Sequence, residues 1–328
     1  MQPEHQRTDT ASNPAFRRSG LGGSDAAPVA GVASYGRTSF DVFMEKHGQT
    51  APLIETDAMK LGKWLEDPMA RWWAKETGHR VRFAASHLDP VTGMETRAIR
   101  HRRFPFIFAH VDRRVDDGSL LEVKVASTFR AHDFGEEGTD QVPADFALQQ
   151  HHYLACIPSA PRAHFIVLIG GTSPRQYVIE RDPETIGALE QIESEFWNEH
   201  VVPGIPPALD GSEGASKYLA GRFPTDDGSE LAATEADNEL VRQYREWTAT
   251  GKQADEAQKL LKQQITERIG AASYLRGPDY RVSLKLAKDS HVVDFRSLVD
   301  RLSPPAELIE EFTEIRPGSR RFLVTDKS

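Results

Sequence analysis

This chain of 328 residues has a single cysteine, no net positive charge and no long apolar segment. The single cysteine, Cys156, excludes a disulfide within the chain and is typical of a reducing compartment. No apolar run approaches the roughly 18 residues of a membrane span, and the polar N-terminus has no signal-peptide core. The net charge of −9 argues against a protein that coats DNA along its whole surface. We therefore expect a cytoplasmic protein without a membrane partner.

Hydrophobic residues make up 39% of the chain, enough for a proper core in one enlarged domain or two. The helix and strand pattern continues to about residue 203, where Pro203-Gly204-Ile205-Pro206-Pro207 interrupts it. We expect four parts: a disordered N-terminus at 1–14, a principal domain at 15–203, a loop-rich connector at 204–229 and a mostly helical extension at 230–328.

The stretch 104–128 organises the rest of the sequence. Its apolar runs, 104–111 and 120–125, flank the tripeptide Asp116-Asp117-Gly118, a pattern typical of a hairpin. With that tripeptide as the loop, Asp112 lies opposite Glu122, and opposed residues share one sheet face with Cβ atoms about 5 Å apart. Alternation along the strand places Lys124 on the same face.

Charges on an apolar strand need partners, because burying an unpaired charge is costly. Paired carboxylates such as Asp112 and Glu122 suit Mg²⁺, with Mn²⁺ as a substitute. That cation can activate water and stabilise a phosphoryl transition state, and Lys124 can position the attacking water. The competing interpretation is a solvated hairpin with an ordinary charged face.

Two other segments suggest contact with phosphates. Glycines at 20, 22 and 23 allow a tight turn whose amides can face an anion, although such a segment by itself is more often plain turn chemistry. The densest basic cluster lies at 97–103, directly before the hairpin, and its position favours DNA contact over a solvated face. Three of its members are the candidates for that contact: Arg100, Arg102 and Arg103.

Two helices are predicted around the hairpin. The first covers 59–78, with an apolar stripe that includes Trp64 and Trp73 and a break or kink at Pro68. The second covers 145–156 and places Gln149 and Tyr153 on one face. His151 and His152 are adjacent on that helix and cannot face one ion together, so structural roles are favoured over zinc binding.

Asp112, separated by nine residues from Glu122-Val123-Lys124, matches the D-(x)n-E-x-K pattern of the PD-(D/E)xK nucleases. The surrounding blocks are more specific than that short pattern: R-x-x-G-L-G-G-S-D-A from Arg17, the Leu65-Glu66 pair, Q-x-x-x-Y from Gln149, and Phe196-Trp197. Together, over roughly residues 15–200, the chain resembles the YqaJ-type viral recombinases, which are relatives of phage lambda exonuclease.

This resemblance implies an α/β (α+β) fold with a restriction-endonuclease-like core, in which helices flank a mixed central sheet. It implies that Asp112, Glu122, Glu66 and the backbone carbonyl of Val123 bind the metal and that Gln149 orients water or DNA. It further implies that Arg17 and Ser24 hold a 5′-phosphate and that Tyr153 contacts DNA. Arg113 departs from the family, since many relatives carry small residues around the Asp.

The implied activity is a Mg²⁺-dependent 5′-to-3′ exonuclease that acts on ends of linear double-stranded DNA and leaves single-stranded tails for phage-type recombination. The implied partners are a single-strand annealing protein and further copies of the chain in a ring-like trimer. An endonuclease of the same fold stays open as an alternative. A non-catalytic DNA-binding or interaction protein on an inactive nuclease scaffold is disfavoured, because Asp112, Glu122 and Lys124 are all retained.

Overall fold

The computed structural model describes residues 10, 12–32, 36–50, 55–314 and 318–325. The chain forms two compact units, Met1–Arg222 and Phe223–Ser328. The helices of the first unit are α1 (Pro14–Arg18), α2 (Gly23–Val29), α3 (Ser39–Lys46), α4 (Asp57–Thr77), α5 (Ala144–Cys156), α6 (Pro183–Phe196), which continues as a π-helical turn over Trp197–Val201, and α7 (Glu213–Arg222).

The strands of this unit are mostly short. They are β1 (Leu21–Gly22), β2 (Val81–Arg82), β3 (His87–Leu88), β4 (Glu95–Thr96), β5 (Ile99–Arg100), β6 (Ile107–Ala109), β7 (Arg113–Val115), β8 (Leu120–Ala126), β9 (Arg162–Ile169) and β10 (Ser173–Glu180). They form a five-stranded sheet in the order β10-β9-β8-β7-β2, a three-stranded sheet in the order β1-β6-β5, and the hairpin β3-β4.

The five-stranded sheet is mixed, because β8 runs parallel to β9 while the other neighbours are antiparallel. Helix α4 covers one face, where Trp73 packs with Leu121 and Val123. Helix α5 covers the other face, where Leu154 packs with Leu120. A mixed sheet between helices is the fold class that the sequence predicts, and it is confirmed.

The three-stranded sheet joins the glycine-rich segment to the strand that precedes Asp112. Strand β1 lies parallel to β6, with Gly22 opposite Phe108. Gly20 is required by close packing, since a Cβ there would lie 2.1 Å from the carbonyl oxygen of Phe106. The expectation of one strand over 104–111 was wrong: β6 ends at Ala109 in the smaller sheet, and β7 begins at Arg113 in the larger one.

Helix α4 differs from its prediction in two respects. It runs through Pro68 as one helix and ends at Gly78, whose φ of 77° forms a left-handed cap. Trp73 is buried as predicted, but Trp64 on the same proposed stripe is 80% exposed. Only the second half of the helix packs on the five-stranded sheet, so Trp73 is buried and Trp64 is not.

The limits of the first unit differ from those expected from the sequence. Residues 1–9 and 11 lie outside the described part of the chain, but Thr10 is buried and bonds to Thr96 Oγ1 at 2.6 Å, and Asn13 caps α1. The connector expected at 204–229 contains helix α7, whose Tyr218 ring lies 5.4 Å from that of Phe40. The first unit therefore extends to Arg222.

The second unit is mostly helical, as predicted. It contains α8 (Glu235–Ile269), a hairpin of β11 (Tyr274–Arg276) and β12 (Arg281–Ser283), α9 (Phe295–Leu302) and α10 (Ala306–Glu311). Helix α8 continues for 35 residues through Gly251, where the sequence predicts a break. Among the described residues, none of the helices is both long enough and apolar enough to cross a membrane.

Candidate active site

The hairpin of β7 and β8 has the register that the sequence predicts. Arg113 pairs with Leu121 and Arg114 with Leu120, so Asp112 follows opposite Glu122. The Asp112 side chain is fixed by a hydrogen bond that Val123 N donates to its Oδ2 at 2.8 Å. Lys124 Nζ donates a short hydrogen bond to Glu122 Oε1. The structure thus brings together the three side chains that carry the proposed chemistry.

Glu122 is a buried member of this group and is 2% exposed. Its Oε1 also accepts a hydrogen bond from Gln149 Nε2 at 3.2 Å, and the same nitrogen donates to the Tyr153 hydroxyl at 2.7 Å. Glu122 Oε2 is buried and has no hydrogen-bond partner among the described residues. Such an oxygen is costly to bury unless something else compensates it.

The charged side chains of this group shift one another's pKa values. Burial raises the pKa of Asp112 well above its usual range, and the nearby carboxylates of Glu122 and Glu66 raise it further. Burial likewise raises the pKa of Glu122, although Lys124 opposes the effect. Burial disfavours the charged amine of Lys124, but Glu122 and Asp112 outweigh it and raise its pKa. One ammonium group therefore interacts with three carboxylates, those of Glu122, Asp112 and Glu66.

Glu66 joins this group from α4, as its effect on the pKa of Asp112 shows. Its Oε1 accepts a hydrogen bond from Arg113 Nη1 at 2.7 Å, and the same nitrogen donates to the carbonyl of Asp112 at 2.6 Å. Arg113 Nη2 donates to Asp67 at 2.9 Å, and the guanidinium lies 3.7 Å from the centre of the Phe83 ring. Buried Arg113 thereby fastens α4 to the strand that begins next to Asp112.

This role of Arg113 was missed from the sequence, where the residue was only a departure from the family pattern. An arginine directly after the proposed metal ligand was the available signal. It could not be interpreted alone, because Glu66 and Asp67 are 47 and 46 residues away in the chain.

The donor set fits a hard divalent cation. Among the described residues, no three His, Cys, Asp or Glu side chains are arranged around one point as metal ligands. Glu66 is hydrogen-bonded to Arg113. Glu122 Oε1 is hydrogen-bonded to Lys124 and Gln149. The unpartnered Glu122 Oε2 and the mutually repelling carboxylates are nevertheless the environment that a bound Mg²⁺ would relieve. The contact shown for Val123 is through its nitrogen, and its carbonyl stays a prediction.

The glycine-rich segment lies against the same helix that carries Gln149. A Cβ at Gly23 would lie 2.4 Å from the Tyr153 ring and 3.0 Å from Gln149 Cγ. Only glycine lets α2 approach α5 so closely at this point. Ser24, the next residue, is exposed.

A charged network lies beneath this segment. Asp25 Oδ2 accepts from Lys46 Nζ at 2.7 Å, and Asp25 Oδ1 accepts from Arg37 at 2.8 Å. Arg17 Nε donates to Glu45 at 2.6 Å and its Nη2 lies 3.6 Å from Asp25. Arg37, which the sequence did not single out, therefore shares both acidic partners of Arg17.

The basic cluster before the hairpin divides into two groups. The Arg100 side chain is 6% exposed and forms two hydrogen bonds with Asp89, at 2.6 and 2.9 Å, so its guanidinium is already occupied within the fold. Arg102 and Arg103 are exposed. Tyr153 is buried beside Gln149, which places it under the site rather than on a surface that DNA reaches.

His152 has the structural role favoured from the sequence. Its Nδ1 lies 2.7 Å from Glu193 Oε1 and its Nε2 lies 2.8 Å from the carbonyl of Phe108. Two acceptors require both nitrogens to carry protons. Burial lowers the pKa of His152, but Glu193 and the Phe108 carbonyl outweigh burial and raise it. The imidazole ring ties α5 to α6 and β6.

The mixed sheet and its Asp-Glu-Lys hairpin have the features expected from the D-(x)n-E-x-K pattern of the sequence. The YqaJ-like viral recombinase domain matches residues 14–160. The protein YqaJ of Bacillus subtilis (strain 168), described as uncharacterized, is 32% identical over 305 residues, which cover 92% of this chain and 90% of that protein. The chain belongs to the YqaJ-like viral recombinase family.

Solved structures show a more distant likeness. The alkaline exonuclease LHK-Exo from Laribacter hongkongensis is 18% identical with a TM-score of 0.44, and the match covers 64% of this chain and 96% of that one. LHK-Exo in complex with dAMP is 20% identical with a TM-score of 0.45, over the same shares of the two chains.

Proposed function

We propose that this protein is a Mg²⁺-dependent deoxyribonuclease that digests linear double-stranded DNA from its 5′ ends. The observation that carries the proposal is the buried, unpartnered Glu122 Oε2 beside Asp112 and Lys124. These side chains place negative charge where a divalent cation can bind and an amine where a phosphate can be held. Family membership supports a role in DNA recombination.

Asp112, Glu122, Glu66 and the carbonyl of Val123 would hold the cation, with Mn²⁺ as a substitute for Mg²⁺. When bound, the cation lowers the pKa of a coordinated water and stabilises the charge that develops on the phosphate. Val123 N holds Asp112 in place through Oδ2. Arg113 holds Glu66 through Oε1, so the second oxygen of that carboxylate is left for the ion.

Lys124 and Gln149 act on the water and the phosphate. The carboxylates around Lys124 keep its amine protonated at neutral pH, so the amine can donate a hydrogen bond to the attacking water or to a phosphate oxygen. Gln149 donates to Glu122 and to the Tyr153 hydroxyl, which fixes the orientation of its amide at the edge of the site. Tyr153 therefore acts by positioning Gln149.

The DNA would be held on two sides of this group. Arg102 and Arg103 are exposed immediately before β6 and suit the phosphate backbone. Ser24 follows Gly23, which packs on Gln149 and Tyr153, and Arg17 on α1 lies 3.6 Å from Asp25, the residue after Ser24; both side chains suit a terminal 5′-phosphate. A single-strand annealing protein, a ring-like trimer and a cytoplasmic location belong to the proposal on the family resemblance alone.

Glu66 provides a test of the metal site that needs no DNA. We expect Glu66→Gln to weaken Mn²⁺ binding about 10- to 100-fold, because it removes a carboxylate that faces Asp112. Calorimetric or paramagnetic titration of the apoprotein measures this affinity. Asp67→Asn is the matched control, since Asp67 shares Arg113 with Glu66. Unchanged Mn²⁺ affinity in Glu66→Gln, or an equal loss in Asp67→Asn, would exclude Glu66 as a direct ligand.

The test of the whole proposal compares three DNA substrates in Mg²⁺: linear duplex with 5′-phosphate, linear duplex with 5′-hydroxyl, and covalently closed circles. We expect the phosphorylated ends to be digested fastest and the circles to resist. Arg17→Ala should slow the phosphorylated substrate about tenfold and leave the hydroxyl substrate nearly unchanged, because one charge-assisted contact is lost.

Arg18→Ala is the matched control for that variant, since Arg18 is the exposed neighbour on α1. Equal rates on both kinds of end in the native protein would contradict the role of Arg17 and Ser24. Rapid cutting of closed circles would favour the alternative function, an endonuclease with the same metal site.

A further inference from the structure

A short helical turn follows strand β8 and presents an aromatic side chain to solvent. The turn covers Thr128–Asp133 and begins two residues after β8 ends at Ala126. Phe129 in this turn is 86% exposed. Among the described residues of the first unit, Phe129 and Trp64 are the two most exposed aromatic side chains. A single exposed apolar residue is common on proteins, so its surroundings decide whether it has a role.

The turn itself is firmly attached to the sheet. The Thr128 side chain packs against Gly170, where an added Cβ would lie 2.3 Å from the Thr128 methyl group. Arg130 Nε donates to Asp133 at 2.6 Å, and the Arg130 guanidinium lies 5.4 Å from the centre of the Phe146 ring. The backbone on both sides of Phe129 is therefore held in place while the ring points outward.

The turn lies on the same sheet face as the candidate active site. Alternation along β8 puts Ala126 on the face of Glu122 and Lys124, about 7 Å along the strand from Lys124. Ala126 belongs to the apolar cluster of Phe134 and Phe146, which the turn joins at its end. Phe146 precedes Gln149 by three residues on α5, or about one helical turn. Phe129 thus follows Lys124 by five residues, in a turn that packs on the sheet face of Glu122 and Lys124.

An exposed aromatic ring next to a nucleic acid site has a specific chemical use. Nucleobases stack on aromatic side chains irrespective of sequence, because every base has a π face. In an intact duplex those faces are covered by neighbouring base pairs, so the ring can reach only a terminal or unpaired base. We propose that Phe129 stacks on the terminal or an unpaired nucleobase of the DNA end held at the active site. This inference rests on the proposed nuclease function and adds a nucleobase of the substrate as the ligand of Phe129.

The experiment uses the full chain with Ca²⁺ in place of Mg²⁺, so that binding is measured without cleavage. The probe is a 5′-phosphorylated duplex with 2-aminopurine at its terminal position, whose fluorescence reports stacking. We expect the native protein to change the fluorescence, and Phe129→Ala and Phe129→Leu to abolish the change and weaken end binding about tenfold. Phe129→Trp should restore both, because the larger ring also stacks. Leu88→Ala, at a site 72% exposed in the separate hairpin β3-β4, is the control for loss of exposed apolar surface.

Three results would overturn the inference. One is an unchanged 2-aminopurine signal in Phe129→Ala, and another is a Phe129→Leu variant that binds as well as the native protein. The third is a change of oligomeric state in Phe129→Ala by light scattering, which would show a contact between copies instead. The inference is separable from the proposed nuclease function. Normal digestion with a signal independent of Phe129 rejects only the stacking, and a Phe129-dependent signal without any digestion in Mg²⁺ rejects only the nuclease.

Discussion

Digestion of linear duplex in Mg²⁺ is expected to fall by at least about 10³-fold in each of Asp112→Asn, Glu122→Gln and Lys124→Met. The two carboxyl variants keep the side-chain shape but remove the charge that holds the cation. The lysine variant keeps an unbranched chain but removes the amine that donates to Glu122 Oε1. Because the three side chains act as one unit, the losses should not add in double variants.

A stability measurement separates this loss of activity from unfolding. Since the folded pKa of Asp112 is raised, its ionisation costs stability as pH rises through that pKa. Asp112→Asn removes the cost, so its melting temperature without metal should equal or exceed that of the native protein at neutral pH. Such an exchange of stability for function is common at active sites.

Asp117→Asn is the matched control, because Asp117 lies in the loop of the same hairpin, where its Oδ1 accepts a hydrogen bond from Ser119 N and its Oδ2 lies 4.0 Å from His164 Nε2. Its activity should stay near the native level. Full activity in any of the Asp112, Glu122 or Lys124 variants would remove that residue from the proposed mechanism. A large drop in melting temperature in Asp112→Asn would instead show that the residue supports the fold.

The largest expected loss of stability comes from Asp25. Its side chain is 1% exposed and pairs with Lys46, whose side chain is 0% exposed. Removing one member of a buried pair leaves the other charge without compensation, which typically costs about 3–5 kcal/mol. Asp25→Asn should therefore destabilise the first unit by about that amount. Asparagine keeps one oxygen that can accept the hydrogen bonds from Gly22 N and Lys46 Nζ, while the acceptor for Arg37 is lost together with the charge.

The pH dependence follows from the same network. Burial would raise the pKa of Asp25, but Lys46, Arg37 and Arg17 outweigh it and hold the pKa well below its usual range. A carboxyl with a lowered folded pKa contributes stability above its unfolded pKa of about 4, and that contribution is lost as pH falls further. The native first unit should lose this contribution below about pH 4, and Asp25→Asn should show a weaker acid dependence.

Denaturation of the full chain, followed by the fluorescence of buried Trp73, reports on the first unit. Other tryptophans contribute to that signal, so Trp73→Phe identifies its share. Asp57→Ala is the control, because the Asp57–Lys60 pair lies on the surface of α4 and should contribute little. Equal stability of Asp25→Asn and Asp57→Ala would show that the buried network does not stabilise the fold.

The sequence by itself determined the parts of this protein that depend on neighbours close in the chain. The loop Asp116-Asp117-Gly118 sets the hairpin register, and strand alternation then places Glu122 and Lys124 on one face. Helical spacing likewise brings Gln149 next to Tyr153. In these cases local geometry fixes which side chains point together, so the pattern of residues is sufficient.

Only the tertiary structure decided what covers each face and which charges neutralise one another. Arg100 looks like a DNA contact in a basic run, but Asp89 and Ser19 enclose it. Trp64 fits an apolar stripe, but that part of α4 extends beyond the residues that bury Trp73. Arg113 meets Glu66, and Lys46 meets Asp25, across 47 and 21 residues of chain. Burial and ion pairing depend on the packing of distant segments, and periodicity along one segment carries no information about its partner.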